Sequence, residues 1–234
     1  MAEPKKIELE ILEKFKPLCQ EINKEDEKFR KEFRKKVLRA NERQFPLSAT
    51  KLVTKTDNCR IFLSYQANKR GDHDKPNIAR FGVFDTNYGM YAIIWTYPYF
   101  YTIFRPHMFD RFQERVIKEP RMNREDLIVK YITSNWGQTV LRINDKIEEV
   151  YNCFEGHYDN DTFNYVAANN YGYLFGDIHN NGMLSIVRTI ITEDMLSENQ
   201  RKLFPLIKDL NNKLKDKFYE ECILYPSKVI RYIK

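Results

Sequence analysis

Glycine is scarce in this sequence, with only 8 among 234 residues. Loops that hold phosphate groups with backbone N–H donors depend on closely spaced glycines. The sequence contains no P-loop motif, no triple-glycine dinucleotide-binding motif after a strand and no serine between two glycines at the spacing of a nucleophile elbow. A glycine-rich phosphate-binding loop is therefore not expected, and no cofactor is predicted.

Cysteine is also rare, and its spacing excludes two classes of small protein. No C-x-x-C pair occurs, which leaves a zinc ribbon and a disulfide-dense secreted scaffold unsupported. The four cysteines are Cys19, Cys59, Cys153 and Cys222. Asp177 and His179 have metal-binding side chains, but the further ligand blocks of a metallophosphoesterase are missing. No metal site is predicted, and reduced thiols indicate a cytoplasmic location.

The sequence has no long hydrophobic run. An uncharged stretch extends over Tyr88–Phe104, but it is short for a membrane span and contains Gly89, Pro98 and several tyrosines. It predicts two buried strands interrupted near Pro98. The segment Met1–Glu10 mixes charges without an apolar core, unlike a signal peptide. Neither a membrane segment nor a membrane partner is expected.

Positive charge is concentrated in one part of the chain. The net charge is +6 with a pI of about 9.0. Lys28–Arg43 contains eight Lys/Arg and two Glu, a local excess equal to the whole net charge. This segment is either the solvated face of an amphipathic helix or a surface that contacts phosphate groups. The predicted nucleic-acid-binding residues are Arg30, Lys31, Arg34, Lys35, Arg39 and Arg105.

The first half of the chain predicts a helical arm followed by a sheet. Residues 6–44 have helical periodicity, with a break expected at Pro17. Phe45-Pro46 ends this part, so we predict a helical arm over residues 1–46 and an α+β domain over 47–234. Turn-like joints between short runs favour antiparallel hairpins. The expected strands are Lys51–Thr56, Arg60–Ala67, Ile78–Asp85, Tyr88–Tyr97 and Tyr99–Phe104.

The second half predicts two helices, a further β section and a helical tail. One helix should begin at Pro106 and reach about residue 118, and another should follow an Asn123 cap to about residue 134. A β section is expected over about 162–191, with an Asn-Gly hairpin turn at Asn181-Gly182. Ser197 and Gln200 have capping-box spacing at the start of the tail, whose stripe from Leu203 to Phe218 could pair with a protein partner or a second copy. The predicted fold is α+β.

The segment Arg105–Arg115 carries the strongest functional signal. His107, Arg111 and Arg115 recur every four residues, which places them along one helix face. Metal-free cleavage of RNA needs groups that move protons and cations that stabilise the charged transition state. Two guanidinium groups favour a neutral imidazole and can bind phosphate bidentately. A solvated face with a Glu114–Lys118 ion pair explains the same pattern, and one histidine cannot fill both proton-transfer roles.

This H-x3-R-x3-R helix follows a strand and precedes a hairpin that contains Val187–Thr192. The arrangement, over about residues 99–200, resembles the barnase/EndoU/colicin/RelE-like group of small nucleases and toxins. The resemblance implies helices packed on a four- or five-stranded antiparallel sheet, and metal-independent RNA cleavage. It also implies that His107, Arg111 and Arg115 are site residues, with Thr189 facing the same cleft.

These observations predict a metal-independent RNA-binding and RNA-cleaving protein of the toxin or defence type, whose partner is RNA or another phosphate-bearing ligand. Two alternatives remain open. The first is a non-enzymatic interaction or oligomerising protein that uses the tail helix. The second is a nucleic-acid- or nucleotide-binding module without catalysis, which keeps the cations but gives His107 no catalytic role.

Overall fold

Helices and antiparallel strands make up the fold, which confirms the predicted α+β class. The computed structural model describes residues 6–96, 100–135, 139–142, 163–179, 183–198, 200–202 and 205. The chain packs as two units. The N-terminal unit comprises Pro4–Pro106 and Asn123–Trp136, and the C-terminal unit comprises Met1–Glu3, His107–Met122 and Gly137–Lys234. The division expected at residue 46 stays a prediction.

The first helix, α1, extends over Lys6–Arg39 without the interruption predicted at Pro17. That prediction was wrong because the apolar stripe continues through the proline. Phe15 and Cys19 are buried on either side of Pro17, whose own side chain is exposed. The ring and the lost backbone hydrogen bond therefore lie on the solvent side, where water can satisfy the freed carbonyl.

Five antiparallel strands follow α1 in the N-terminal unit, as the sequence predicts. They are β1 (Leu47–Lys55), β2 (Cys59–Ala67), β3 (Asn77–Thr86), β4 (Gly89–Thr96) and β5 (Phe100–Phe104), and each pairs with the next. Phe29 and Phe33 of α1 pack on the Tyr65 ring, with centroids 5.2 and 5.5 Å apart. These ring contacts hold the second half of α1 against β2.

The opposite face of this sheet is covered by α3 (Arg124–Ser134). The Asn123 side chain accepts a hydrogen bond from the Glu125 N–H at 2.9 Å, which confirms the predicted helix start. Tyr131 is buried with its ring 5.5 Å from that of Phe104. Both faces of the central strands are thus covered, which explains why β2 is buried along nearly its whole length.

The C-terminal unit contains one short helix and four antiparallel strands. Helix α2 (Pro106–Phe112) starts at the last residue of the N-terminal unit and continues as a π-turn over Gln113–Ile117. The strands are β6 (Thr139–Arg142), β7 (Phe163–Asn169), β8 (Gly172–His179) and β9 (Leu184–Ile191), in the order β9-β8-β7-β6. The predicted β8–β9 hairpin is confirmed, whereas β6 was not predicted.

Several predictions concern residues that the structure does not describe. Those residues are Pro98, Cys153, Cys222, Asn181, Gly182 and the tail stripe from Leu203 to Phe218. The predicted capping box is confirmed, since Ser197 N–H donates to Gln200 Oε1 at 2.9 Å and Gln200 N–H donates to Ser197 Oγ at 3.4 Å. Across the described ranges, no helix combines the length and the apolar character that crossing a membrane requires.

Candidate active site

The apolar residues of α2 determine which of its side chains can reach a ligand. Met108, Phe109 and Phe112 are fully buried, and the Phe112 ring meets that of Tyr171 edge-on at 4.9 Å. Pro106 occupies the first helical position, as predicted, where its missing N–H leaves no bond unmade. His107 is therefore on the outer side of the helix and exposed, and Arg111 lies one turn further along.

A chain of hydrogen bonds connects three polar side chains on this outer side. Arg111 Nε donates to His107 Nε2 at 3.3 Å, and Arg111 Nη1 donates to Glu114 Oε2 at 2.7 Å. An imidazole nitrogen can accept a hydrogen bond only through the lone pair of the neutral ring. The two contacts place an imidazole nitrogen and a carboxylate on either side of one guanidinium group.

Because of the π-turn after α2, Glu114 has a different partner from the one that regular helical spacing predicts. Lys118 N–H donates to Gln113 O at 2.8 Å, and the Gln113 side chain bonds to Lys118 O and to Met122 N–H, each at 3.1 Å. Lys118 has a φ of 60°, which ends the helical direction. Glu114 pairs with Arg111, and the i,i+4 pair with Lys118 is not formed between these two described residues. Widening the turn thus moves Lys118 out of helical register.

Arg115 lies against strand β9 of the same unit. Its guanidinium donates to the carbonyl oxygen of Ile190 in β9. Burial lowers the pKa of Arg115, the positive charge of Arg111 lowers it further, and Glu114 acts in the opposite direction. The lowering by Arg111 reflects repulsion between the two guanidinium groups. Arg115 therefore reaches the strand that carries Thr189, the neighbour of Ile190, and all four predicted catalytic residues belong to one unit.

An irregularity in the β8–β9 pairing lies next to Thr189. Thr189 is paired with Phe175, whereas Val187 is paired with Gly176, so Arg188 is the extra residue of a bulge. A Cβ at Gly176 would lie 2.2 Å from the Ile186 carbonyl oxygen, so the close strand pairing there requires glycine. The bulge shifts the alternation of β9 and determines on which face Thr189 lies.

The acidic residue of this hairpin, Asp177, pairs with an arginine of the same unit. Arg188 Nη2 lies 2.5 Å from Asp177 Oδ2, and the Asp177 side chain is almost fully buried. His179, two residues further along β8, is buried as well. Throughout the described ranges, no three His, Cys, Asp or Glu side chains are grouped as ligands of one metal ion. Asp177 thus neutralises a sheet arginine in a poorly solvated position.

The predicted nucleic-acid-binding residues fall into two groups in the N-terminal unit. Four of them have acidic partners: Arg30 with Asp26 at 4.0 Å, Lys31 with Glu27 at 2.7 Å, Arg34 with Asp74 at 2.6 Å and Arg105 with Glu8 at 2.5 Å. Lys35 and Arg39 are exposed and form no ion pair with any residue that the structure describes. Five of these six cations lie on the second half of α1, whereas Arg105 follows β5.

Comparisons of the chain with protein-family models, with curated proteins and with solved structures find no match. The resemblance to small nucleases therefore stays a prediction.

Glu114 is the group that sequence reasoning did not assign to the site. Its position three residues after Arg111 is a signal for an ion pair on one helix face, but the competing i,i+4 partner Lys118 concealed it.

Proposed function

We propose that the C-terminal unit binds RNA at His107, Arg111 and Arg115 and cleaves it without a metal ion. The observation that carries this proposal is the bracketed guanidinium of Arg111, with the His107 imidazole on one side and the Glu114 carboxylate on the other. A cation that can bind a phosphate lies between two groups that can move protons. Cleavage of a phosphodiester by the neighbouring 2′-OH needs this combination.

The proton transfers follow from the states of the two flanking groups. An ionised Glu114 accepts the proton of the 2′-OH, whose oxygen forms a bond to phosphorus. When the bound phosphate accepts the hydrogen bonds of Arg111, the Nε2 lone pair of His107 is released and takes up a proton from water. His107 then donates its proton to the 5′ oxygen as the P–O5′ bond breaks. The products are a 2′,3′-cyclic phosphate and a free 5′-OH.

Arg115 and Thr189 complete the proposed site. Arg111 and Arg115 repel each other in the free protein, and an anion bound near both guanidinium groups relieves that repulsion. The Thr189 hydroxyl would contact a phosphate oxygen or the ribose from β9. A nuclease with this set of residues on a helix and an antiparallel sheet fits the toxin-like or defence-related class that the sequence predicts.

A binding module without catalysis is the second candidate. The imidazole lone pair of His107 is occupied by Arg111, and a site that only binds phosphate would use this contact to hold the guanidinium in place. Such a module would bind nucleotides or RNA through the two arginines and would give His107 a supporting role. Activity measurements distinguish it from the nuclease.

The test is incubation of end-labelled RNA with purified protein in EDTA. We expect 2′,3′-cyclic phosphate products, and a rate about 10² to 10⁴ lower for His107→Ala. His73→Ala is the matched control, because His73 belongs to the other unit and pairs with Asp74. RNA binding with no cleavage by the wild-type protein would support the binding module and contradict the nuclease. The absence of both activities would contradict both candidates.

A further inference from the structure

A straight row of cations runs along the solvent side of α1. Its members are separated by four, three, four and four residues, which is the spacing of one helix face. They are Lys24, Lys28, Lys31, Lys35 and Arg39, all exposed, and we call them the lysine stripe. At 1.5 Å per residue the stripe is about 22 Å long. The opposite face of the helix is the buried one, with Phe29, Phe33 and Val37.

Helix stability does not explain the stripe. A pairing with glutamate one turn away accounts for Lys31, which contacts Glu27, and the helix dipole accounts for Arg39 in the last turn. Lys24, Lys28 and Lys35 form no ion pair with any described residue. Like charges four residues apart destabilise a helix, and this row contains several such neighbours. These like-charged neighbours therefore contribute repulsion, against which the structure sets the contact of Lys31 with Glu27.

The arginines of the same segment behave differently. Arg34 is held by Asp74, and Arg30 points towards Asp26, whose carboxylate also lies 2.5 Å from Arg80. Arg34 secures α1 to the rest of its unit, Arg30 pairs within α1 itself, and the lysines project into solvent. Four of the five cations of the lysine stripe are ammonium groups, with the exposed carboxylates of Glu27 and Glu32 beside them. Ammonium groups bind phosphate as point charges without a fixed geometry, which suits sequence-independent contact.

We propose that the lysine stripe binds the phosphate backbone of RNA. A membrane-surface helix needs a row of exposed apolar residues beside its cations, whereas Phe29, Phe33 and Val37 of α1 are buried and Leu38 is a single exposed apolar residue beside the stripe. The first half of the same solvent face carries Glu10, Glu13 and Glu21, so the cationic surface is restricted to the second half. The choice of RNA as partner rests on the proposed function, but the stripe shares no residue with His107, Arg111 and Arg115.

The experiment compares two triple variants made in the His107→Ala background, so that RNA stays intact. The test variant is Lys28→Gln/Lys31→Gln/Lys35→Gln. The control is Lys14→Gln/Lys16→Gln/Lys36→Gln, which removes the same charge from α1 outside the stripe. Affinity for a 20-nucleotide RNA is measured over a series of salt concentrations. We expect the test variant to bind roughly tenfold more weakly or worse, and the salt slope to fall by about 2.

Three results would overturn the proposal: equal losses in both variants, which would mean that net charge alone matters; unchanged binding by the test variant; or wild-type binding to phosphatidylserine vesicles but not to RNA. We expect the test variant to melt close to the background protein, because it removes both the repulsion along the row and the exposed Lys31–Glu27 pair. If His107→Ala cleaves as fast as the wild type while the stripe variant loses affinity, the proposed function fails and the stripe proposal stands.

Discussion

Helices α1 and α2 both carry cations four residues apart, yet they use them in different ways. The lysine stripe of α1 projects into solvent, whereas Arg111 and Arg115 of the α2 segment are held by Glu114 and by the Ile190 carbonyl. Helix length explains part of the difference. A helix of 34 residues has a continuous outer face, whereas α2 ends after 7 residues and turns back against β9. Equal spacing in sequence therefore does not mean equal availability to a ligand.

The largest effect on stability should come from removing the cation that pairs with a fully buried carboxylate. Arg105 was predicted to bind nucleic acid, but its guanidinium pairs with the fully buried Glu8. We expect Arg105→Ala to lower the free energy of unfolding by about 3 to 5 kcal/mol, because it removes the guanidinium from a buried carboxylate. Urea denaturation measures the change, and Glu8→Leu/Arg105→Met should recover part of it. A loss below about 1 kcal/mol would show that the pair is not the main partner of Glu8.

The Arg111→Lys variant tests whether RNA cleavage requires the planar guanidinium of Arg111 and not only its charge. Arg111→Lys keeps the charge but cannot bond to His107 and Glu114 through two separate nitrogens. We expect the rate of RNA cleavage to fall about 10²-fold with little change in the melting temperature. Arg43→Lys, on an exposed turn of the other unit, is the matched control. An unchanged rate for Arg111→Lys would mean that charge alone suffices, as it does for the lysines of α1.

Periodicity predicted most of the fold but fewer of the site contacts. Alternating apolar residues and turn residues are local signals, and they identified β1–β5, the Asn123 cap and the β8–β9 hairpin. The continuity of α1 through Pro17 depends on packing against the sheet, which no local signal reports. For the site, spacing alone could place His107 and Arg111 on one helix face. The contact of Arg115 with Ile190 joins residues 75 apart in sequence, and Glu114 depends on the π-turn.

The smallest effect on stability is expected at the contact between Arg34 of α1 and Asp74. The hydrogen bond from the Arg34 guanidinium lowers the pKa of Asp74 below its ordinary value of 3.8, and a hydrogen bond from His73 acts in the same direction. Since the folded-state pKa is depressed, the Arg34–Asp74 contact stabilises the fold above pH 3.8, and its contribution disappears as the pH falls through the lower folded-state value. Asp74→Asn should therefore be slightly less stable than the wild type near neutral pH.

The same variant should match the wild type at the acid end, where Asp74 is protonated in both folded and unfolded chains. The measurement is the difference in urea midpoint between the two proteins from pH 6 downwards. Because both groups are well exposed, the difference should be small and should shrink in high salt. Lys35→Gln, one residue beyond Arg34, is the matched control, and its midpoint difference should not change over this pH range. A constant difference for Asp74→Asn would mean that Arg34 is as free as Lys35 beside it, and that the contact with Asp74 does not hold the Arg34 guanidinium in solution.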